Sequence, residues 1–334
     1  MSRNITMKDV AKEAEVSVAT VSNIINKKNK YVSPELKQRV EKAIKKLNYS
    51  PNKIARSLKV QKSFNIGVLV PDITNPFFAE IVKGGEKLAV SNDYQILLYN
   101  TDGKTQREKD GINNFLNQGV DGIIDIAPRR KNKDIEKYYE NNKVPMVIVD
   151  RPIKLSNKYA GVVYADNYIG SYEVAEHLFV SEKRKYICMA GPKNVPNVKK
   201  RIKGFVDGLK DLGLSKNDIE IIYGEFNHKS GHDLMKMLLN KYKSPISIFV
   251  CSDIMAWGAI EAIKNNRKIP DDISIVGFDN IYFSELLNPS LTTVNQPKFD
   301  LGYKSVQLLF NMLKNKKNKK EIILSTNLVI RKTT

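Results

Sequence analysis

The chain has 334 residues, about twice the length of a typical domain, so its size predicts two or three domains. Its contents of 42% hydrophobic and 27% charged residues are typical of globular proteins and exclude a low-complexity or collagen-like chain. The 55 Lys and Arg residues against 36 Asp and Glu residues give a net charge of +19, which favours polyanionic partners such as nucleic acid or an anionic membrane surface.

The positive charge is densest at the N-terminus. Residues 1–60 contain 14 Lys and Arg residues against five acidic residues, a surplus of nine in less than a fifth of the chain. The remaining 274 residues contain 41 basic against 31 acidic residues, an ordinary density for a soluble domain. The basic N-terminal segment is therefore the predicted binding site for a polyanion.

Three short helices are predicted in this basic segment. The first begins at a capping box over residues 6–9, and a tight turn at Glu15 and Val16 leads to a second helix capped by Ser17. Ser33 and Pro34 begin a third helix, whose apolar residues form one stripe. Two short helices joined by a two-residue turn in a small basic bundle are typical of a helix-turn-helix DNA-binding head.

A fourth short helix is predicted over residues 52–58, after a turn at Ser50 and Pro51. A helix this short is marginal in water and needs a partner to become ordered. A symmetric pair of such helices can lie in a DNA minor groove and wedge leucine side chains between base steps. A plain linker helix is the alternative, and the periodicity leaves it open. The predicted minor-groove contacts are Asn52, Ala55, Arg56 and Leu58.

From residue 64 onward, short apolar runs alternate with amphipathic segments, which is typical of an α/β domain with parallel sheets. Nine strands with helices between them exceed one ordinary sheet, so we expect two lobes. The predicted strands cover residues 65–70, 94–99, 121–126, 144–149, 161–164, 186–190, 220–223, 246–251 and 274–278.

The sequence predicts neither a metal site nor a bound cofactor. His228 and His232 have the i, i+4 spacing of half a metal site, but no third ligand accompanies them at a suitable spacing. Glycine-rich phosphate-binding loops are absent, and no catalytic set of Ser, His and Asp or of Cys and His is evident. We therefore expect a protein that is not an enzyme.

Both cysteines, Cys188 and Cys251, lie in apolar runs typical of buried strands, which predicts two buried thiols in a reducing compartment. The N-terminus is polar, and no apolar run approaches the roughly 18 residues that span a bilayer. We expect a cytoplasmic protein without a membrane partner.

Short motifs along nearly the whole chain resemble those of the lactose-repressor (LacI/GalR) family, in family order. They occupy residues 7–11, 16–22, 48–52, 55–58, 66–71, 75–78, 149–152, 276–279 and 291–297. The resemblance is greatest to the ribose-type repressors. It implies a helix-turn-helix head over residues 1–48, a hinge helix and linker over 49–61, and a two-lobed domain over 62–334. That domain resembles periplasmic sugar-binding proteins and is expected to bind an effector and to dimerise.

The family resemblance also implies three crossings of the chain between the lobes. We expect them near residues 159–163, 291–296 and 322–327. Lobe one then covers about residues 62–160 and 296–322, and lobe two covers about 163–291 and 325–334.

The resemblance assigns side chains of the second helix to DNA. Val18, Ala19 and Asn23 occupy the positions that face base edges. The first two offer only apolar contact, best against thymine methyl groups, whereas Asn23 can bond adenine bidentately. Arg is commoner than Asn at this last position, so the operator is expected to depart from the typical family sequence. The hydroxyls of Thr20 and Ser22 are expected to hold phosphates, which sets register without reading sequence.

The effector is expected in the cleft between the lobes, at the carboxyl ends of the strands. The assigned side chains combine polar groups for sugar hydroxyls with aromatic rings for the C–H faces. They are Asn75, Phe77, Phe78, Asp150, Arg151, Arg201, Phe226, Ser252, Asp279 and Gln296. Ser252 departs from the family, in which an Asn usually contacts the sugar. Phe77 and Phe78 are equally consistent with helix core.

Together these features predict a homodimeric transcription repressor that binds a near-palindromic double-stranded DNA operator. A small neutral sugar, with ribose or a related pentose as the leading candidate, is expected to control operator binding. The alternative is a sugar-handling enzyme with a basic accessory head, which would show turnover. An architectural DNA protein would bind without sequence preference and would ignore small ligands.

Overall fold

The computed structural model describes residues 5–25, 32–49, 62–127, 144–151, 160–179, 185–243, 245–263, 267–315 and 321–334. The chain packs as two units, residues 1–63 and residues 64–334. The predicted hinge helix lies outside the described residues, and so do its proposed DNA contacts Asn52, Ala55, Arg56 and Leu58.

The smaller unit contains the three predicted helices, α1 (Met7–Glu13), α2 (Val18–Ile25) and α3 (Pro34–Lys46). The carboxylate of Asp9 accepts hydrogen bonds from the backbone N–H and the hydroxyl of Thr6, as expected for the capping box. Ser17 and Ser33 cap the next two helices through their hydroxyl oxygens. The buried core of this unit consists of Val10, Ala11, Ala14, Val21, Ile24, Val40, Ala43 and Tyr49. The helix-turn-helix architecture is therefore confirmed.

The larger unit alternates strands with helices. Its strands are β1 (Asn65–Val70), β2 (Gln95–Asn100), β3 (Gly122–Ile126), β4 (Met146–Val149), β5 (Ala160–Ala165), β6 (Lys185–Ala190), β7 (Ile219–Tyr223), β8 (Ile246–Val250), β9 (Ile273–Asp279), β10 (Thr292–Asn295), β11 (Glu321–Leu324) and β12 (Asn327–Val329). The helices are α4 (Pro76–Ser91), α5 (Thr105–Asn117), α6 (Asn167–Leu178), α7 (Pro196–Asp211), α8 (His228–Lys241), α9 (Asp253–Ile263) and α10 (Lys298–Leu313). Within the described parts of the chain, no helix is both long and apolar enough to cross a membrane.

The strands form two six-stranded sheets, in the orders β11-β5-β4-β3-β1-β2 and β12-β10-β9-β8-β6-β7. Neighbouring strands run parallel except β10 and β12. The central strands are apolar along their whole length because hydrophobic clusters cover both faces of each sheet. This arrangement confirms the expected two-lobed α/β fold with parallel sheets.

The nine predicted strands are present, with ends shifted by at most two residues, and the structure adds three short strands at the crossings. One crossing was predicted too early. Strand β5 pairs with β11 as far as Ala165, so the chain leaves the first sheet at Asp166 and not within residues 159–163. The long-range partner extends the strand beyond its local apolar run. The other crossings follow β10, at Gln296 and Pro297, and separate β11 from β12, at residues 325–326.

The two cysteines lie on neighbouring strands of the second sheet or directly after them. Both are buried, as expected, and they are free thiols with Sγ atoms 3.8 Å apart. The hydrogen bond to Cys251, followed by burial, raises the pKa of the Cys188 thiol well above its ordinary value. This thiol is therefore protonated at neutral pH, which suits a packing role.

Candidate functional site

Helix α2 of the smaller unit has one face in the core and one in solvent. Val21 and Ile24 are buried, whereas the assigned base-reading residues Val18, Ala19 and Asn23 are exposed. Thr20 and Ser22, which were assigned to phosphates, are half-buried, and the Thr20 hydroxyl lies 2.9 Å from that of Ser17. The three base-reading candidates therefore share an exposed face of α2 and are not part of the hydrophobic core of the head.

Two basic side chains of α3 hold the preceding helices in place. Arg39 donates to the carbonyl oxygen of Ala14 at 2.7 Å and to the carboxylate of Glu15 at 3.2 Å. Lys46 donates to the carboxylate of Glu13 at 2.7 Å. Glu15 has a left-handed backbone with φ of 50°, so Arg39 supports the sharp turn between the first two helices. Sequence reasoning counted these residues only as positive charge.

The larger unit contains a cleft of about 210 Å³ between the carboxyl ends of the strands of both sheets. Nine of the ten assigned effector residues line it: Asn75, Phe77, Phe78, Asp150, Arg151, Arg201, Phe226, Ser252 and Asp279. The tenth, Gln296, supports the lining from behind, since its Nε2 donates to Oδ1 of Asp279 at 2.7 Å. The sequence-predicted side chains are therefore brought together in one place.

The aromatic residues of the cleft are also core residues. Phe77 is buried and packs in the core beside the first sheet, and the Phe78 ring meets it edge-on with centroids 5.2 Å apart. The Phe226 ring covers Gly191, where a Cβ atom would lie 2.3 Å from Cζ of the ring. The core reading of the Phe pair is therefore confirmed, whereas contact of either ring with a ligand stays a prediction.

Three residues with left-handed backbones end strands at the cleft. Ala127, Asp150 and Asp279 have φ of 50°, 74° and 127°, and each lies at the carboxyl end of β3, β4 or β9. All three line the cleft. Such conformations are costly for residues with a Cβ and concentrate where function requires an unusual chain path.

Arg201 holds the second-lobe side of the cleft together. Its Nε donates to Oδ1 of Asn167 at 2.7 Å, and its Nη1 donates to the backbone oxygen of Cys251 at 2.6 Å. Its Nη2 lies 3.7 Å from Oδ1 of Asp279, and the guanidinium carbon lies 3.8 Å from the centroid of the Phe278 ring. The side chain is buried, so its donors serve protein partners first. It positions Asp279 as well as lining the cleft.

The carboxyl group of Asp279 titrates near neutral pH. Burial raises its pKa to about 7, assisted by the negative charges of Asp253 and Asp150. The charge of Arg201 and the hydrogen bond from Gln296 act in the opposite direction. The protonation state of this group therefore changes within the physiological range.

Asp150, after β4 of the first lobe, and Asn197, on α7 of the second lobe, form the floor of the cleft, where two buried oxygen atoms lack a donor among the described residues. Nδ2 of Asn197 donates to the backbone oxygen of Asp150 at 2.9 Å. Oδ1 of Asp150 and Oδ1 of Asn197 are buried and have no hydrogen-bond partner among the described residues. Burial raises the pKa of Asp150, although the nearby Arg201 and Arg151 lower it. Unpartnered buried oxygens cost about 1 to 3 kcal/mol each, so they indicate donors supplied from the cleft.

Ser252 is fixed beside the cleft by the residue that follows it. The carboxylate of Asp253 accepts from the backbone N–H of Ile281 at 3.0 Å, from the Ser284 hydroxyl at 2.6 Å and from the Thr293 hydroxyl at 2.6 Å. Asp253 therefore has a structural role, and it holds the start of α9 against the end of β9. Ser252 is buried and contributes a short hydroxyl to the lining.

Lys298 joins the two lobes behind the cleft and was missed by sequence reasoning. It is buried at the start of α10, and its Nζ donates to the backbone oxygens of Asp279 at 2.9 Å and Asn280 at 2.8 Å. The same Nζ lies 3.7 Å from the carboxylate of Glu80 on α4. Its position two residues after the crossing at Gln296 was the available signal.

Other lining residues were missed because they lie in loops or at helix starts. Asn197 follows Pro196 in the first turn of α7, where a polar residue is usually exposed. The remaining ones are Pro71, Asp72, Asp102, Gly103, Ala127, Val195, Glu225 and Asn227. Asp72, Asp102 and Glu225 place three exposed carboxylates at the rim.

The two histidines of the i, i+4 pair each face a carboxylate. Nε2 of His228 lies 2.7 Å from Glu261, and Nδ1 of His232 lies 3.3 Å from Asp233. Within the described ranges, no group of three or more His, Cys, Asp or Glu residues is placed to hold a metal ion.

Comparisons with known proteins agree with both units. Residues 6–52 match the model of bacterial regulatory proteins of the lacI family, and residues 63–333 match the model of periplasmic binding proteins and the sugar-binding domain of the LacI family. The ribose operon repressor of Halalkalibacterium halodurans is 37% identical over 331 residues, which cover 98% of this chain and 97% of that protein. The HTH-type transcriptional repressor PurR of Histophilus somni is 35% identical over 331 residues, 98% of each chain.

A solved structure resembles the whole chain. It is the lac repressor dimer bound to operator and the anti-inducer ONPF, with a TM-score of 0.84 and 27% identity over 99% of each chain.

Proposed function

The chain belongs to the LacI family of bacterial regulatory proteins, and from this premise we propose that it represses transcription under the control of a small sugar. The observation that carries the proposal is the cleft, in which charged groups and aromatic rings from both sheets converge on one small volume. A ligand controls a two-state protein only through different affinities for the two states. A cleft with contacts from two lobes provides that difference, because its opening changes the contacts.

We infer that the functional division follows the sequence: a DNA-binding head over residues 1–48, a hinge over 49–61 and an effector domain over 62–334. The family models cover residues 6–52 and 63–333, which supports a change from head to effector domain between residues 52 and 63. The two sheets support a division into two lobes, with the chain crossing from one lobe to the other at residues 166, 296–297 and 325–326. Minor-groove insertion of Leu58, with contacts from Asn52, Ala55 and Arg56, stays a prediction.

The proposed DNA contacts lie on the exposed face of α2. Val18 and Ala19 offer apolar contact to thymine methyl groups, and Asn23 reads adenine through its amide. Thr20 and Ser22 place hydroxyls next to this face for phosphate contacts. A short helix reads only a half-site, so two heads are required for a full operator.

The proposed effector is ribose or a related pentose. The cleft of about 210 Å³ suits a monosaccharide, and the Phe77, Phe78 and Phe226 rings offer flat surfaces to its C–H faces. Asp150 and Asp279 accept from ring hydroxyls, and Arg151 lies beside them. Similarity to the ribose operon repressor supports a pentose.

We propose that the protein is a homodimer through an exposed aromatic patch on the second lobe. Trp257, Tyr282, Phe283 and Leu286 are 41%, 66%, 41% and 60% exposed. The Phe283 ring contacts both other rings, with centroids 5.8 Å and 5.7 Å apart. Contiguous exposed apolar clusters often mark interaction sites, and aromatic residues are enriched at interface cores. A stable monomer in light scattering at micromolar concentration would contradict the dimer.

An enzyme with an accessory head receives less support. Both matched family models and the similar repressors are regulatory proteins or ligand-binding domains. We propose that the protein is not an enzyme, so added sugar should be recovered unchanged after prolonged incubation. Chemical conversion of the sugar by the purified protein would revive the alternative.

The test of the function is Asp279→Ala, measured by calorimetry with ribose and by operator binding with and without ribose. The variant loses a carboxylate that Gln296 and Arg201 hold at the cleft, and it should bind ribose about tenfold to a hundredfold more weakly. Operator affinity without ligand should stay near that of the wild type. A normal ligand response in the variant, or no effect of any sugar on the wild type at millimolar concentration, would overturn the assignment of the cleft.

A further inference from the structure

We propose that the cleft selects an uncharged, hydroxyl-rich effector and rejects its phosphate ester, with Glu225 as a specificity-determining residue at the rim. The proposal rests on the proposed function, because it concerns the ligand of the same cleft. The assignment of a sugar site does not say whether the cleft distinguishes a neutral sugar from its charged phosphate ester, and this is the question addressed by the proposal.

The rim of the cleft carries negative charge from both lobes. Asp72 and Asp102 follow β1 and β2 of the first sheet, and Glu225 follows β7 of the second. Asp72 accepts hydrogen bonds from Thr74, and Asp102 pairs with Arg107. Among the contacts within the described ranges, the Glu225 carboxylate has no hydrogen bond or ion pair. Glu225 is exposed at the rim, so no described neighbour offsets its carboxylate towards a ligand that enters the cleft.

The basic residues that line the cleft do not balance the negative charge of its rim. Arg151 and Arg201 are the Lys and Arg residues that line the cleft in the described chain, against Asp72, Asp102, Asp150, Glu225 and Asp279. Both arginines are buried, and Arg201 already donates to Asn167 and Cys251. A phosphate at Arg201 would have to use its remaining N–H groups and would compete there with Asp279, whose Oδ1 lies 3.7 Å from Nη2.

The floor of the cleft adds an independent observation. Oδ1 of Asp150 and Oδ1 of Asn197 are more than nine-tenths buried and lack hydrogen-bond partners within the described chain. The Asn197 oxygen is an acceptor, and so is the Asp150 oxygen when that carboxyl group is ionised, so both can take donors from the ligand. A sugar hydroxyl donates one hydrogen bond, whereas a phosphate near neutral pH carries about two negative charges and offers mainly acceptors. The floor therefore favours hydroxyl groups, which both a sugar and its phosphate ester carry, and the rim provides the discrimination against the anion.

Electrostatic rejection and steric rejection make different predictions. Repulsion between exposed charges is screened by salt over distances near 10 Å. A steric barrier to the larger phosphate ester would be insensitive to salt and to the charge of residue 225. The charge of Glu225 is therefore the variable to change.

The experiment is calorimetry on the full chain with matched pairs: ribose and ribose 5-phosphate, and glucose and glucose 6-phosphate. The variants are Glu225→Gln and Glu225→Lys, with Glu176→Gln as the control, since Glu176 is an exposed carboxylate of α6 that does not line the cleft. Wild-type protein should bind the free sugar of its preferred pair at least about tenfold more tightly than the ester, a difference of about 1.4 kcal/mol.

The affinity ratio between sugar and ester should narrow in the order wild type, Glu225→Gln, Glu225→Lys, by about tenfold overall. It should also narrow from 0.05 to about 0.5 M salt in the wild type, because screening weakens the repulsion. Glu176→Gln should keep the wild-type ratio.

The inference is overturned if the ester binds as tightly as the sugar, or if the ratio is the same in wild type and Glu225→Lys. If the ester binds and also controls the operator, the regulatory function stands and the proposed selection fails. If no sugar or ester of either pair binds, both the sugar assignment and the inference fail.

Discussion

The exposed face of α2 and the interlobe cleft place functional side chains in opposite environments. Val18, Ala19 and Asn23 are exposed and lie opposite a small core that does not include them. Arg201 and Asp279, in contrast, are buried and held by several neighbours. The DNA-facing side chains therefore contribute to binding without stabilising the fold, whereas the cleft side chains do both. A substitution should reveal this difference as a change in binding alone or in binding and stability together.

Arg201→Met should produce the largest change. It removes hydrogen bonds to Asn167 and Cys251 and leaves the buried Asp279 without its cation. Breaking a buried ion pair on one side typically costs about 3 to 5 kcal/mol. We expect a loss of that size in the free energy of unfolding, measured with urea, together with loss of ribose binding.

Lys199→Met on the same helix provides the matched control. Lys199 is exposed, so its removal should change the free energy of unfolding by no more than about 0.5 kcal/mol. If Arg201→Met were as stable as this control, Arg201 would not stabilise the fold. The cleft side chains would then be as independent of folding as those of the DNA-facing helix, and the contrast would be wrong.

Asn23→Ala tests the other side of the contrast. The amide is exposed, so stability should stay within about 0.5 kcal/mol of the wild type. Loss of a bidentate bond to adenine should weaken specific operator binding by about 1 to 3 kcal/mol. Fluorescence anisotropy with operator and with random DNA measures both affinities.

Random-sequence binding should remain nearly unchanged, since it depends on phosphate contacts. Gln38→Ala, at an exposed amide on α3, is the control and should leave the preference for operator intact. An equal loss on both DNAs in Asn23→Ala would exclude base reading by this residue.

The sequence predicted the cleft best where local patterns and topology coincide. Asp150 and Asp279 follow apolar strands directly, and parallel strands bring their carboxyl ends to one edge. The assignments of Arg201, Phe226 and Ser252 drew on the family resemblance, because an Arg inside a helix or a Ser after a strand has many structural uses. The capping box of α1, the Ser33 cap and the apolar stripe of α3 are local as well, and they were found from spacing alone.

The missed features depend on contacts between distant parts of the chain. Strand β11 pairs with β5 about 160 residues earlier, and no local pattern specifies that register. Lys298 is an ordinary charged residue in the sequence and becomes a buried cation only because the backbone oxygens of Asp279 and Asn280 surround its amino group. Asn197 likewise acquires its role from the backbone oxygen of Asp150 in the other lobe.

The smallest expected effect on binding is a pH dependence that arises from Asp279 in the cleft, which also affects stability. Burial and the negative charges of Asp253 and Asp150 raise the pKa of Asp279 to about 7, against the opposing influence of Arg201 and Gln296. The folded state therefore keeps a proton that the unfolded state releases near pH 4. The stabilisation from this group is fully present below pH 4 and is lost as the pH rises through about 7. Asp279→Asn should remove this part of the pH dependence of unfolding.

Ribose binding should show the opposite trend, because ring hydroxyls donate more strongly to the ionised carboxylate. If the ionised form binds, about one-tenth of the protein is competent at pH 6 and most of it at pH 8, so affinity should rise by up to about tenfold. Calorimetry in buffers of different ionisation enthalpy should detect proton release, and Asp279→Asn should bind with little dependence on pH. Operator affinity of the unliganded protein should not follow the same titration, since Asp279 lies in the effector unit and not on α2. Proton uptake on ribose binding would show that the protonated carboxyl is the binding form and would reverse the assignment of Asp279 as an acceptor.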